Sequence, residues 1–193
     1  MQVHDEANKP LIEWSEESAL LAQSAATLLA ERSTFEAVRK WMTTERGFYA
    51  EVYKEIADLG WLGVALPEQY GGAGLSVAAL TGVAEAMGQR LFGSPFLANT
   101  IAAQVILRAG NDKQKNELLP KIVKGELNAT LAFYEPHGSY EIDHVATTAE
   151  RALSGYQLRG KKSAVLDAQY ADVVIIAAKA STGLMLLLAT QDQ

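Results

Sequence analysis

The chain has no cysteine among its 193 residues. Disulfides, thiolate zinc sites, iron–sulfur clusters and a thiol nucleophile are thereby all excluded. Histidine is scarce: His4, His137 and His144 are too scattered to suggest a metal site by spacing, and no metal ligand is assigned. Positive charge is in deficit. Against 23 Asp and Glu stand 17 Lys and Arg, a formal net charge of −6, and such a field repels nucleic-acid phosphates and anionic membranes. An anionic ligand would need a local basic patch or backbone N–H groups. Long apolar runs are missing as well: Asp172 and Lys179 interrupt the most hydrophobic region, which falls short of the ~18 residues of a membrane span. The start, Met-Gln-Val-His-Asp-Glu, lacks the basic cluster and apolar run of a signal peptide. The expectation is a soluble, cytoplasmic protein with neither nucleic acid nor membrane as partner.

What is present is apolar and patterned. Hydrophobic residues make up 49% of the chain, enough to bury a core. The first two thirds read as helix. Ser15 is a cap candidate, with Glu16 and Glu17 at the positive end of the helix dipole; Trp14, Ser18, Leu21, Ala25 and Leu28 come at helical spacing. A second helix carries Tyr49, Val52, Ile56 and Leu59 and stops at Gly60. Ser76 opens a third, with Val77, Leu80, Ala84, Met87 and Leu91 as its apolar stripe. Ser94-Pro95 reads as cap plus first-turn proline, and the helix after it is apolar nearly all round, which places it mid-bundle. A last helix starts at Asn111 or Asp112, is broken near Pro120 and ends by Gly125.

From about residue 129 the period changes to short β-branched or apolar runs: 129–134, 145–149, 156–159, 164–166, 173–178 and 184–189, punctuated by Gly138, Gly155, Gly160 and Gly183. Helices followed by strands argue for an α+β chain. The expected organisation is an all-α helical bundle at 1–128 and a partial, antiparallel β-domain at 129–193. The apolar strand just before Gln193 leaves an open edge and an uncovered face, so the β-domain reads as truncated.

Three stretches carry more information than periodicity. Residues 59–76 run from a helix stop through an apolar segment to Gly71-Gly72-Ala73-Gly74 and a new cap. A glycine loop before a helix can cradle phosphate, but this one lacks the Gly-Lys-Ser/Thr ending and any strand–helix nucleotide unit, so it reads as a plain turn. Residues 110–126 form a capped amphipathic helix with Gln114-Lys115, Leu119-Pro120 and Gly125-Glu126. Residues 131–140, Leu-Ala-Phe-Tyr-Glu-Pro-His-Gly-Ser-Tyr, lead from a strand into a Pro/Gly turn.

In this order, these stretches resemble the acyl-CoA dehydrogenase family across about residues 45 to 180. The family's Val-Pro-Glu-Glu-Tyr-Gly-Gly-x-Gly-like stretch is matched at Ala65–Gly74, its Gln-Lys…Leu-Pro…Gly-Glu stretch at Gln114–Glu126, and its Gly-x-Lys strand ending in Ala-Asp at Gly160–Asp172. The resemblance implies an FAD-dependent enzyme that desaturates acyl-CoA thioesters: a carboxylate removes the proton beside the carbonyl and a hydride passes to the flavin. It implies a C-terminal helical domain bearing that carboxylate. This domain is absent from the chain, so no catalytic residue is named. It also implies a homo- or hetero-oligomer with other acyl-CoA dehydrogenase subunits, and electron-transfer flavoprotein as a candidate partner.

Carried over by residue, the resemblance implies a flavin-lining set of Leu131, Phe133, Tyr134, Gly138, Ser139, Ala164 and Leu166. The chain departs from the family pattern within that set. Tyr134 stands where relatives have threonine, Tyr140 where they have aspartate, Ala164 where an aromatic packs near the flavin, and Leu166 where a hydroxyl donates to it. The departures resemble small subunits of heteromeric acyl-CoA dehydrogenases, such as the pimeloyl-CoA and steroid side-chain enzymes. Three readings are open: an enzyme, a non-catalytic partner subunit or fragment, and a related flavin oxidase or monooxygenase. Glu135 reads as a turn-fixing carboxylate rather than a base, His137 as a solvated turn residue, and Arg151, Arg159, Lys161 and Lys162 as solvated strand-end charges.

Overall fold

Helix boundaries arise from local chemistry in this computed structural model, which describes residues 15–139 and 141–190. Helix α1 (Glu16–Arg32) begins where the Ser15 hydroxyl accepts the Ser18 N–H, with Glu16 and Glu17 in the first turn as expected. It buries Ala25 and Leu29; Trp14 and Tyr140, both singled out in the sequence, lie outside the described residues. A short helix not distinguished in the sequence, α2 (Phe35–Trp41), comes next under a Thr34 cap. Helix α3 (Ala50–Asp58) buries Val52, Tyr53, Ile56 and Ala57, and Gly60 closes it at φ +79°.

The third expected helix starts as a 3-10 turn over Val77–Leu80 and becomes α4 (Thr81–Gln89). The tighter winding of that first turn shifts the phase of the α-helical turns after it. Val83, Ala86 and Met87 therefore reach the core. Val77, Ala84 and Leu91 of the expected stripe stay exposed. Helix α5 (Phe96–Ala109) has Pro95, not Ser94, at its N-cap position. It is not fully enclosed: Leu97 is 58% exposed. Helix α6 (Asp112–Val123) opens with a complete capping box between Asn111 and Gln114. It runs through Pro120 rather than breaking there. The carbonyl that proline leaves unpaired belongs to Asn116, which is exposed to water, while Leu119, Ile122 and Val123 anchor both sides of the ring in the core.

The second half is a five-stranded sheet of β1 (Ala129–Ala132), β2 (Thr148–Arg151), β3 (Tyr156–Arg159), β4 (Val173–Ala180) and β5 (Gly183–Thr190). The α+β order is as expected, but the sheet is mixed rather than antiparallel. Strand β4 is central: β5 pairs along its whole length antiparallel, while β1 and then β2 share its other edge in parallel. The parallel pairing has a visible cause. Asn128 O accepts from the N–H groups of both Asp172 and Val173, and Asp172 Oδ2 accepts the Asn128 N–H at 2.8 Å, so β1 and β4 start side by side. Residues 164–166, expected as a strand, form none. Ala164 and Asp167 both adopt left-handed backbone, at φ +50° and +49°, which bends the chain out of extension. Along β5, Leu184 and Leu186 are each 41% exposed. Among the described residues no helix is long and apolar enough to cross a membrane.

One apolar cluster lies within α1–α4, centred on Leu29, Ile56, Trp61 and Val83. A second joins α5 and α6 to the sheet through Ala102, Ile106, Leu119, Ile122, Ala129, Val173 and Ile175. Thus the change from helix to strand at residue 128 is spanned by a shared core. Asn99, 1% exposed, is the polar rivet in that seam. Its Nδ2 donates to Tyr53 Oη at 2.5 Å and Asn128 Oδ1 at 2.9 Å, and its Oδ1 accepts the Ala129 N–H at 2.6 Å. Burial pushes the Tyr53 phenol up to about 12 although the Asn99 hydrogen bond opposes that rise. Asn99→Ala is expected to lower unfolding free energy by about 2–4 kcal/mol, because two buried partners, Tyr53 and Ala129, and the half-buried Asn128 lose their hydrogen bonds together. Urea denaturation measures this, and a loss below about 1 kcal/mol would contradict the role.

Candidate functional site

Two surfaces are candidates for a site. The first is built where β1 leaves the sheet. The expected flavin-lining residues fall into two groups here. Leu131, Phe133 and Tyr134 come off β1, and Ala164 and Leu166 lie on the bent segment beside it. Three hydrogen bonds join the two segments: Thr130 Oγ1 donates to Leu166 O at 2.6 Å, Ser163 N–H to Tyr134 O at 2.9 Å, and Lys162 Nζ to Phe133 O at 3.2 Å. These contacts hold Ala164 in its strained left-handed conformation. Leu131 and Phe133 are half-buried, whereas Tyr134 and Leu166 are 43% and 48% exposed. Phe133 and Tyr134 meet edge to face with centroids 5.6 Å apart. Gly138 and Ser139 sit on the next turn, where the Ser139 hydroxyl bonds His144 Nδ1 at 2.7 Å.

Glu135 organises this corner. It is 4% exposed and accepts from Lys162 Nζ at 2.7 Å, Thr147 Oγ1 at 2.5 Å, Thr147 N–H at 2.9 Å and Ala146 N–H at 2.8 Å; His137 Nε2 lies 3.0 Å away. Burial alone would raise its pKa, but the hydrogen bonds from Lys162, Thr147 and Ala146 outweigh that and hold the carboxyl far below the usual carboxylate range. A carboxylate so fully engaged cannot accept a substrate proton. The turn-fixing reading of Glu135 therefore holds, and the same geometry makes Lys162 a buried structural partner rather than a solvated charge. His137 pairs with the same carboxylate while remaining 42% exposed.

The resemblance calls for a flavin against this surface. Leu131, Phe133, Ala164 and Leu166 are apolar side chains of the kind that suits a ring face. They offer no side-chain donor to a polar ring edge, and the nearby hydroxyls of Thr130 and Ser139 are already bonded to Leu166 O and His144. Asp167, beside Leu166, is half-buried, and burial pushes its carboxyl up. Ala164 and Leu166 thus supply neither an aromatic ring nor a hydroxyl at the positions where the family pattern has them, and no chemical step is derived through the cofactor.

The second surface was not assigned from the sequence. Val77 and Ala84, which miss the core, join the core residues Leu80, Met87 and Phe96 and the exposed Leu97 in lining an apolar groove of about 420 Å³ that Ser94 also lines. That volume lies within the ~300–1,000 Å³ usual for small-molecule sites. No lining side chain is charged. The signal was present in the sequence as a surplus: α4 and α5 carry more apolar positions than one core face can absorb.

The glycine loop at 71–74 is spent on itself. The N–H groups of Gly71, Gly72, Ala73 and Gly74 bond Glu68 O, Pro67 O, Gly63 O and Leu66 O, which leaves none for a phosphate and bears out the plain-turn reading. Among the described residues there is no cluster of His, Asp or Glu able to hold a metal ion.

Comparison with known proteins gives a consistent result. The family model for the acyl-CoA dehydrogenase N-terminal domain matches residues 15–126. Mitochondrial isovaleryl-CoA dehydrogenase of Bos taurus is 31% identical over 169 residues, covering 86% of this chain and 39% of that protein. For (2S)-methylsuccinyl-CoA dehydrogenase of Cereibacter sphaeroides the identity is 30% over 141 residues, 72% of this chain and 26% of the relative. Among solved structures, a variant of the Tcur3481-Tcur3483 steroid ACAD superposes with TM-score 0.83 at 30% identity, covering 92% of this chain and 48% of that one. The ChsE4-ChsE5 complex from Mycobacterium tuberculosis gives TM-score 0.83 at 25% identity with the same coverage. The chain spans about two fifths of the length of the first of these curated relatives.

Proposed function

The chain belongs to the acyl-CoA dehydrogenase family, and from that premise we propose that it serves the FAD-dependent α,β-dehydrogenation of acyl-CoA thioesters as the N-terminal part of such an enzyme. The α4–α5 groove carries this reading. A hydrocarbon chain is the ligand part that gains most from an uncharged apolar cleft, at about 0.8 kcal/mol per buried methylene, while the charged coenzyme A portion stays in water. The residues at the β1 exit then line one face of the flavin. No residue of the chain is assigned as the base that removes the substrate proton.

A second reading rests on Ala164 and Leu166. With neither the aromatic ring nor the hydroxyl at those two positions, the chain acts as a partner subunit in a heteromeric acyl-CoA dehydrogenase whose flavin contacts come largely from another subunit. The visible absorption of the purified protein separates the two. Stoichiometric flavin with turnover of an acyl-CoA supports the first reading. A colourless protein that binds a full-length homologue contradicts it and supports the second.

A further inference from the structure

The groove has one polar peculiarity. Ser94 lines it, and the Ser94 hydroxyl is buried without a hydrogen-bond partner, the one such side-chain atom among the described residues. Sequence position suggested a helix cap, yet the hydroxyl bonds no backbone N–H of α5, because Pro95 has moved into the cap position. The nearby Thr100 hydroxyl is not comparable: it donates to Phe96 O at 2.8 Å, within its own helix. A buried hydroxyl without a partner is costly, so an occupant that pairs with it gains over one that does not.

Resting on the acyl-group reading of the groove, we propose that Ser94 is a specificity-determining residue that favours an acyl group carrying a neutral hydrogen-bond acceptor, such as a ketone or ether oxygen, within its apolar body. Because the hydroxyl is buried as it stands, pairing with an occupant requires it to rotate to another staggered position. A carboxylate is a poor match, since no lining side chain carries a charge to offset its desolvation. A plain hydrocarbon chain fills the same space but leaves Ser94 unpaired.

The test is calorimetric titration of the whole chain and of Ser94→Ala with octanoyl-CoA and with a series of its mono-oxo analogues, the ketone moved along the chain. The quantity read is the affinity of each analogue relative to octanoyl-CoA. At one ketone position this ratio is expected to be about 3- to 10-fold higher in the unmodified chain than in Ser94→Ala, the range of one neutral hydrogen bond. Ratios that match between the two proteins at every position, with octanoyl-CoA binding both, overturn the role of Ser94 and leave the acyl reading intact. Failure of octanoyl-CoA to bind either protein contradicts the acyl reading itself and removes this inference with it.

Discussion

Glu135→Ala is expected to destabilise the protein by about 3–5 kcal/mol, the range for removing one partner of a buried ion pair. The Lys162 ammonium, 10% exposed, would be left facing a void, and the N–H groups of Ala146 and Thr147 would lose their acceptor. Against a typical total stability of about 5–15 kcal/mol, that is a large share. The pairing can be isolated: Glu135→Gln combined with Lys162→Met removes both charges together and is expected to recover part of the loss. The effect also has a direction in pH. The folded carboxyl titrates below its unfolded counterpart, so the unfolded chain takes up the proton first and stability rises with pH. The contribution is fully present above the unfolded value of about 4.3 and is lost as pH falls toward the folded one. Lys162 and His137 face the same carboxylate, so urea midpoints of Glu135→Gln and the unmodified chain should be compared from pH 7 downward. The acid slope is expected to flatten in Glu135→Gln. A loss below about 1 kcal/mol for Glu135→Ala, or an unchanged acid slope in Glu135→Gln, would refute the hub.

The second large effect concerns Gly72. A Cβ at this position would lie 2.0 Å from Leu66 O and 2.5 Å from Gly63 O. Both are backbone atoms of the turn that the loop closes on, since Ala73 and Gly74 donate their N–H groups to those same two carbonyls. Nothing there is the flexible end of a side chain, so the loop has to move as a body. Gly72→Ala is therefore expected to cost more than about 4 kcal/mol, in the exceptional range for point substitutions. Gly88 supplies the control. It lies in α4 with no atom within 4 Å of the added carbon, and Gly88→Ala is expected to stabilise by about 0.5–1 kcal/mol through helix propensity. Denaturant midpoints of the two variants, measured side by side, are expected to move in opposite directions. Near-equal midpoints would contradict the close approach.

The features legible in the sequence were those decided locally. Ser15, Asn111 and Gly60 mark helix ends because a cap needs only its own turn. The switch from helical to strand spacing near residue 129 was equally plain. Where the sequence misled, tertiary contacts outweighed local preference. Pro120 is carried inside α6 because its neighbours are anchored in the core. The residues 164–166 leave the sheet because hydrogen bonds from Thr130 and Ser163 hold a left-handed bend that apolar composition does not betray. The mixed direction of the sheet stems from the Asn128–Asp172 junction, a pairing between residues far apart in the chain. Family resemblance supplied the residues at the β1 exit, and hydrogen bonds join the two segments that carry five of them. It gave no access to the groove. Ser94 looked like a cap, and only its missing partner in three dimensions marks it as something else.

Central to this account is the α4–α5 groove as the receiver of the acyl chain of a coenzyme A thioester. Calorimetric titration of the chain with free coenzyme A, butyryl-CoA, hexanoyl-CoA and octanoyl-CoA tests it most directly. Affinity is expected to climb by up to about fourfold for each added methylene that enters the groove, with a negative heat-capacity change that grows with chain length. Equal affinity across the series, or binding of the coenzyme A portion with no dependence on the acyl chain, would contradict the claim.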